Sequence, residues 1–327
     1  MTPASPTPDD FRTTFDAVRT AVGKVVVGQD AVVELVLIGL FANGHCLVEG
    51  VPGVGKTLLV RSVAAASGLT FSRIQFTPDL MPADLTGTDF LVVDDKGRTS
   101  FEFRQGPVFG NVVLADEINR ATPKTQSALL QAMEEREVTV ARRTHPLPRP
   151  FLVLATQNPL EMEGTYPLPE AQLDRFLLKI LVAAPTLPDL LRIVDRTTGS
   201  ERVSVPQATD AATVVALHEL ARQVVLAPHL REFLGRLVLA TSPADAAATP
   251  LVRRTVRCGA SPRAAQSLAL AAKVRALAHG RAHVAEEDLR TLAPAVLQHR
   301  VLVNYEGEAD GVTATDVVRE VLASVRA

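Results

Sequence analysis

The sequence is poor in the residues that stabilise small disulfide-rich or metal-bound proteins. Among 327 residues there are two cysteines, Cys46 and Cys258, and they form neither a CxxC pair nor a Cys/His cluster. These facts exclude a disulfide scaffold and disfavour a zinc site. A chain of this length can bury a core without either. Because unpaired cysteines are typical of reducing compartments, we expect a cytoplasmic protein.

Charge imbalance and aromatic residues are also scarce. The chain has 34 Lys and Arg against 36 Asp and Glu, no tryptophan, and only 4% aromatic residues. A near-neutral protein is unsuited to coating nucleic acid through charge alone. Few aromatic rings are available to stack on bases. A nucleic-acid partner is therefore not expected, although a local basic pore stays open.

No hydrophobic run is long enough to span a membrane. The longest apolar stretch is 31–42, which contains Glu34, whereas a membrane helix needs about 20 apolar residues. The first ten residues are polar and rich in proline, with no basic start and no apolar segment. We predict no targeting signal there, and interpret residues 1–10 as a disordered tail.

The pattern along the chain predicts two domains. Short apolar strands alternate with helices up to Val182, which is typical of a parallel sheet covered by helices. A hairpin is predicted from 90–93 and 99–103 around Asp94-Asp95-Lys96-Gly97. The segment 184–188 is a predicted hinge, and the chain beyond it has helical patterns only. We therefore predict an α/β core over 11–184 and a smaller all-helical domain over 185–327.

One glycine-rich turn carries the strongest chemical signal. The residues Gly50-Val51-Pro52-Gly53-Val54-Gly55-Lys56-Thr57 match G-x-x-x-x-G-K-[ST], with an apolar strand before and a helix, continuing at Leu58, after. Glycines let backbone N–H groups surround phosphate oxygens. The helix directs its positive end at the same anion. Lys56 would contact the β- and γ-phosphates, and Thr57 would bind Mg²⁺. The turn predicts binding of ATP with Mg²⁺.

Two acidic residues end a buried strand. Asp116 and Glu117 follow the apolar run 112–115, and ligands of open α/β sheets bind at the carboxyl ends of strands. We expect Asp116 to hold Mg²⁺ through water and Glu117 to polarise an attacking water as a general base. A glutamate in that place favours a hydrolase over a phosphotransferase.

Three further polar residues each allow two interpretations. Asn158 ends another apolar strand and could bind the γ-phosphate or orient water, or it could merely end the strand in an Asn-Pro turn. Arg263 lies in the first turn of a helix, where a cation is disfavoured. It is either a γ-phosphate sensor or a solvated side chain. Arg175 is either an arginine finger for a neighbouring subunit or a partner of Asp174 or of the helix end.

Together these motifs resemble the MoxR family of AAA+ ATPases. GVPGVGKT resembles Walker A, VVLADE at 112–117 Walker B, and ATQNP at 155–159 sensor 1. PLPEAQLDRF at 167–176 resembles the arginine-finger segment and GASPRA at 259–264 the sensor 2 helix. The stretches 76–87 and 116–136 are also similar to the family. The resemblance covers about 25–305, and Gly28 and Gln29 match the family's stretch near the adenine.

The resemblance implies an ATP-hydrolysing core with an all-helical lid that works as a ring, typically a hexamer, within the helix-2-insert clade. The 90–103 hairpin then resembles that insert, and 137–151 the hairpin before sensor 1. The resemblance also implies chaperone-like maturation of a client complex, including metal or cofactor insertion. It further implies a partner that carries a von Willebrand factor A domain.

Two other functions stay open from the sequence. The first is a nucleic-acid motor, because the 137–151 region and its flank carry basic residues that could line a pore: Arg136, Arg142, Arg143, His145 and Arg149. The second is a scaffold that nucleotide binding switches without hydrolysis, which the intact acidic pair disfavours.

Overall fold

The computed structural model describes residues 6–93, 95–157, 164–199 and 204–326. The helices are α1 (Pro8–Gly23), α2 (Asp30–Phe41), α3 (Lys56–Ala66), α4 (Pro82–Thr86), α5 (Pro123–Glu135), α6 (Glu170–Leu173), α7 (Leu187–Thr198), α8 (Ala211–Gln223), α9 (Pro228–Leu239), α10 (Pro250–Thr255), α11 (Pro262–Ala278), α12 (Glu286–Leu297), α13 (Tyr305–Ala309) and α14 (Ala314–Ser324). The strands are β1 (Cys46–Glu49), β2 (Phe71–Gln75), β3 (Gly87–Val93), β4 (Thr99–Gln105), β5 (Val112–Asp116), β6 (Glu137–Val140), β7 (Arg143–Pro146), β8 (Leu152–Gln157), β9 (Leu178–Leu181), β10 (Val256–Cys258) and β11 (Leu302–Val303).

A five-stranded parallel sheet organises the first half of the chain. Its order is β2-β5-β8-β1-β9, and Cys46 of β1 lies opposite Leu154 of β8 and Leu178 of β9. The predicted α/β class and parallel sheet are confirmed. Because all five strands run the same way, their carboxyl ends share one edge, and their amino ends share the opposite edge.

Alternate residues of the strands pack into two separate cores. Val112 and Leu114 belong to a core that also holds side chains from α1, α2, α3 and the lid helices. Val113 and Ala115 belong to the other core, together with side chains of α5. Successive side chains of a strand point to opposite faces, so an apolar run without polar interruptions has to be covered on both sides. The sheet is therefore the middle of three layers.

The lid is helical with one small exception. The predicted helical lid is confirmed, and it also contains β10 and β11, a two-stranded antiparallel sheet in which Val256 lies opposite Val303. These strands of three and two residues are too short to show a period of two. Helix α10 was also missed. It begins at Pro250, and the hydroxyl of its N-cap residue Thr249 accepts a hydrogen bond from the Val252 N–H.

The amino-terminal helix begins earlier than the sequence indicated. The prediction of a disordered tail over 1–10 is wrong for its last three residues, because α1 starts at Pro8. Thr7 and Asp10 form a capping box, in which each side chain accepts a hydrogen bond from the other residue's backbone N–H. Such a box satisfies two N–H groups that a helix start leaves free. The division of domains at 184/185 remains a prediction.

Two antiparallel hairpins leave the sheet. The predicted hairpin near 90–103 is present as β3 and β4, with Leu91 opposite Phe101, while Asp94 in its turn lies outside the described residues. The other hairpin consists of β6 and β7 and lies within 137–151, where the resemblance implied a hairpin. In the part of the chain that the structure describes, no helix is long and apolar enough to cross a bilayer.

Candidate nucleotide-binding and hydrolysis site

The glycine-rich turn joins β1 to α3 at the carboxyl edge of the sheet. Gly53 has a φ of +83° and Gly55, the N-cap of α3, a φ of +84°. Side chains rarely adopt these left-handed angles, so the turn depends on glycine there. A Cβ built on either glycine would have no neighbour within 4 Å. The first N–H groups of α3 lack partners inside the helix, which makes this open space a suitable place for a phosphate.

Lys56 curls back into the turn. Its Nζ donates hydrogen bonds to the carbonyl oxygens of Gly50, at 2.5 Å, and Val51, at 3.3 Å. Partial burial lowers the pKa of Lys56, while the charges of Asp116 and Glu117 act in the opposite direction. The acids end β5, and the turn follows β1, so both lie at the carboxyl edge of the same parallel sheet. A phosphate would therefore meet a preformed cation.

A partly apolar cavity of about 230 Å³ opens beside the turn. Its walls come from the 25–29 segment, from 53–58 of the turn and α3, and from α7. Gln29 connects the 25–29 segment to the turn, because its Nε2 donates to the Val54 carbonyl at 2.8 Å. Gly28, with a φ of +70°, lies so close to α7 that a Cβ there would be 2.3 Å from Cγ of Asp189. Apolar walls with a few polar groups suit a nucleotide base.

Asp116 is held by two neighbouring strands. Its Oδ2 accepts hydrogen bonds from Nε and Nη2 of Arg73 on β2, at 3.1 and 2.7 Å. Its Oδ1 accepts from the Thr156 hydroxyl on β8, at 2.7 Å. Asp116 is buried, and a buried carboxylate requires partners of this kind.

Glu117 adopts an unusual backbone conformation. Its φ of 56° and ψ of 51° are left-handed, a conformation that costs a non-glycine residue about 1–2 kcal/mol. The Glu117 N–H donates to the Thr156 hydroxyl at 2.8 Å. Its Oε2 accepts from Nε2 of Gln75 and from Nη1 of Arg120, each at 3.0 Å. The strained backbone and three polar contacts fix where the carboxylate lies.

The residues at this edge fit a magnesium ion. Thr57 and Asp116 offer hydroxyl and carboxylate oxygen, the donors that Mg²⁺ prefers. Within the described residues there is no group of three or more His, Cys, Asp or Glu that could hold a metal. Mg²⁺ is usually held by one or two protein groups together with substrate phosphates, so the pair suffices.

Arg175 and Arg263 lie together at the opposite edge of the sheet. Arg175 precedes β9, and its Nη1 donates to the Leu130 carbonyl at 2.9 Å. Glu134, near the end of α5, accepts from Nη2 of Arg175 at 2.8 Å and from Nη2 of Arg263 at 2.9 Å. The expected alternative of an Arg175–Asp174 pair is wrong, because Arg300 pairs with Asp174 instead.

The structure therefore separates the predicted site residues into two groups. Gly28, Gln29, residues 50–58, Asp116 and Glu117 lie at or beside the carboxyl edge, whereas Arg175 and Arg263 lie at the amino edge. The four residues of β1 separate the edges by about 13 Å. Asn158 lies outside the described residues.

Sequence reasoning missed several residues that support the site. Arg73 and Gln75 alternate along β2, and Thr156 lies on β8. A period of two places Arg73 and Gln75 on one face, but the strand order was needed to show that this face meets the acids. Glu134 gave no signal, because it is an ordinary exposed acid on a helix.

The fold and site together define a P-loop nucleoside triphosphatase. Residues 45–178 match the model of the "ATPase family associated with various cellular activities (AAA)", and 249–321 match the AAA lid domain. The chain is 45% identical to Chaperone MoxR1 of Mycobacterium tuberculosis over 93% of its own length and 80% of that protein. It belongs to the MoxR family of AAA+ ATPases and is an ATP hydrolase.

Other proteins are similar to this chain over nearly its full length. Protein MoxR of Methylorubrum extorquens is 33% identical, with 97% of this chain and 96% of that protein covered. YeaC of Bacillus subtilis, an uncharacterised protein, is 42% identical over 93% of this chain and 92% of its own. A solved structure of a candidate ATPase from Cytophaga hutchinsonii superposes with a TM-score of 0.91 at 41% identity, covering 98% of this chain and 96% of that one.

Proposed function

We propose that this protein is an ATP-driven remodelling chaperone that works as a closed ring, which we expect to be a hexamer. The observation that carries the proposal is the separation of the two polar edges. Phosphate-binding groups and acids lie at one edge, while Arg175 and Arg263 lie at the other. Two different surfaces that complete one site generate a head-to-tail contact, and such a contact repeats into a ring when its rotation closes.

At the carboxyl edge, the phosphates of ATP would bind the amides of the turn and Lys56, and the base would enter the cavity beside Gln29. Thr57 and Asp116 would hold Mg²⁺, which neutralises charge on the phosphates. Glu117 would accept a proton from the attacking water, and its hydrogen bonds from Gln75 and Arg120 keep its carboxylate oriented. Asn158, after β8, would assist in orienting that water.

At the amino edge, Arg175 and Arg263 would face the nucleotide of the neighbouring subunit. An arginine supplied by a neighbour stabilises the charge that develops during phosphoryl transfer. In the isolated chain both guanidinium groups share Glu134, so a γ-phosphate from the neighbour would compete with that carboxylate. Glu134 is exposed, which makes such an exchange of partners feasible.

The β3–β4 hairpin offers a surface for a client protein. Phe90, Leu91, Val93 and Phe101 are all exposed on it, with 67% of Phe101 accessible. Exposed apolar groups of this size commonly mark an interaction site. We propose that the hairpin contacts apolar segments of a client complex, whose maturation includes metal or cofactor insertion. A partner with a von Willebrand factor A domain, and a cytoplasmic location, belong to the same proposal through the resemblance to MoxR proteins.

The structure gives little support to a nucleic-acid motor. Arg136 donates to the Asn43 and Phe151 carbonyl oxygens, so it is an internal tether. His145 stacks on Phe103, with ring centroids 3.9 Å apart. Arg142, Arg143 and Arg149 are exposed. Ordinary solvated side chains are exposed as well, so this exposure does not favour a pore. Stimulation of ATP hydrolysis by DNA, lost at high salt, would favour the motor instead.

The proposal is tested by phosphate release from two variants. Glu117→Gln should bind ATP and hydrolyse it about 100-fold or more slowly, because a neutral amide cannot accept the proton. Arg175→Ala should bind ATP normally and hydrolyse it about 1,000-fold more slowly. Glu117→Gln rings held in ATP should also retain client proteins. Normal turnover of Glu117→Gln would remove this residue from the reaction. A wild type that binds ATP but releases no phosphate would favour the scaffold function instead.

Mixtures of the two variants test the shared site. A 1:1 mixture assembled from dissociated subunits should recover turnover at about one quarter of its sites, because an intact Glu117 then meets an intact Arg175 across some interfaces. Neither variant alone provides such an interface. A flat mixing curve would contradict the ring with shared sites.

A further inference from the structure

The finger segment that carries Arg175 is held by a buried arginine of the lid. Arg300 follows α12, and its Nη2 donates to the carbonyl oxygens of Asp174, at 3.1 Å, and Phe176, at 2.6 Å. Its Nη1 donates to the Leu177 carbonyl at 3.3 Å, and its Nε to Oδ1 of Asp174 at 2.8 Å. The guanidinium therefore grips the backbone on both sides of Arg175.

A second lid residue binds the same acid. The hydroxyl of Ser261 donates to Oδ2 of Asp174 at 2.8 Å, so both carboxylate oxygens have lid partners. Ser261 also caps α11 by accepting from the Arg263 N–H at 3.1 Å. One acid thus connects the finger segment to the start of the helix that presents Arg263.

The burial of Arg300 makes this attachment specific. Its side chain is 1% exposed, and desolvation lowers its pKa, while the hydrogen bond that it donates to Asp174 acts in the opposite direction. A buried guanidinium is tolerated only when its N–H groups are satisfied with good geometry. A shift of the finger segment would leave several of these donors unpaired. The arrangement therefore favours one position of the segment relative to the lid.

We propose that Arg300 is a positioning residue for ATP hydrolysis in the neighbouring subunit. By fixing the backbone around Arg175 and the acid that joins it to Ser261, it makes Arg175 and Arg263 one rigid unit. This inference rests on the proposed function, in which both arginines act across the interface. Arg300 itself contacts no nucleotide.

The test replaces Arg300 with lysine, which keeps the positive charge but has one nitrogen in place of three. Arg300→Lys should lower kcat roughly 10- to 100-fold, the loss expected from misplacing a reacting group by about 1 Å. The KM for ATP should change less than about twofold, because the carboxyl edge is untouched. Asp174→Asn, which weakens the same attachment while Arg300 stays, should show the same split. Asp174→Asn provides the test if the Arg300→Lys variant fails to fold.

The control is Arg290→Lys. Arg290 lies on α12, the helix that precedes Arg300, and donates to the Leu322 and Val325 carbonyl oxygens, at 2.7 and 3.1 Å, so it anchors backbone only within the lid. Its replacement should leave kcat unchanged. An equal loss of kcat in both variants would show a general effect on the lid and would overturn the inference.

Mixing separates a positioning role from a structural one. Arg300→Lys subunits mixed with Glu117→Gln subunits should recover turnover, because the defect lies in the finger that a subunit offers, not in its own site. If Arg175→Ala mixtures recover while Arg300→Lys mixtures stay flat, the inference fails and the proposed function stands. If both stay flat, both are overturned. Wild-type kcat in Arg300→Lys and Asp174→Asn would also overturn the inference.

Discussion

Thr156 connects the two acids of the candidate site, and its replacement by valine should damage both stability and hydrolysis. The side chain is 1% exposed. Its hydroxyl donates to Asp116 at 2.7 Å and accepts from the Glu117 N–H at 2.8 Å. Valine has nearly the same shape, so the change removes both hydrogen bonds without opening a cavity.

The magnitude follows from these contacts. A hydrogen bond to a charged group contributes about 1.5–3 kcal/mol, and a buried N–H left unsatisfied costs about 1–3 kcal/mol. Two effects offset about 1–2 kcal/mol of that loss. The added methyl group is buried, and the left-handed backbone at Glu117 can relax. We expect a net loss of about 2–4 kcal/mol. For a domain of this size, such a loss of unfolding free energy lowers the melting midpoint by roughly 4–16 °C.

The assay compares Thr156→Val with Thr156→Ser, which keeps the hydroxyl. Melting midpoints measure the stability loss, and phosphate release measures hydrolysis. Released from its anchor, Glu117 should leave its working position, and kcat should fall by about 100-fold. The serine variant should keep most of the wild-type kcat. A valine variant with wild-type midpoint and wild-type kcat would refute the view that Thr156 holds the acids.

Three further changes test other parts of the molecule. Lys56→Ala should weaken binding of a fluorescent ATP analogue about 10- to 100-fold, the contribution of a charge-assisted hydrogen bond, and unchanged affinity would contradict the phosphate site. Gly28→Ala forces a Cβ against the Asp189 carboxylate and places alanine at a left-handed φ of +70°, so the wall of the cavity must shift and nucleotide affinity should fall several-fold; wild-type affinity would show that this contact does not shape the cavity. Lowering the pH should destabilise the fold, because burial depresses the pKa of three histidines and the unfolded chain binds protons that the folded chain does not. Between pH 6.5 and about 4, each should cost about 1.4 kcal/mol per pH unit, and a melting midpoint that is constant from pH 7.5 to 5.5 would contradict it. These histidines are His45 (pKa about 3), His218 (about 4) and His299 (lowered).

Local sequence patterns were sufficient to predict the main strands and helices around the site. The wholly apolar run before Asp116 predicted a strand buried on both faces, and β5 is that strand. Helix α3 was predicted to follow the glycine-rich turn, and it begins at Lys56, directly after the last glycine of the motif. The phosphate turn was predictable for the same reason, since it is formed by consecutive residues.

Long-range pairing was not predictable in this way. Glu134 binds Arg175 and Arg263, which are 41 and 129 residues further along the chain, and nothing near Glu134 in the sequence signals either contact. Arg300 looked like an ordinary basic residue after a helix, yet it is among the most deeply buried charges in the described chain. Such roles depend on which helices the fold brings against the amino edge, and no local pattern contains that information.

The opposite placement of the two polar edges also has a consequence for regulation by abundance. Under the proposed function, each chain holds half of two different sites and cannot bring its own halves together, because the sheet stands rigidly between them. Specific activity would then rise steeply with protein concentration, and simple dilution would switch the enzyme off without any inhibitor.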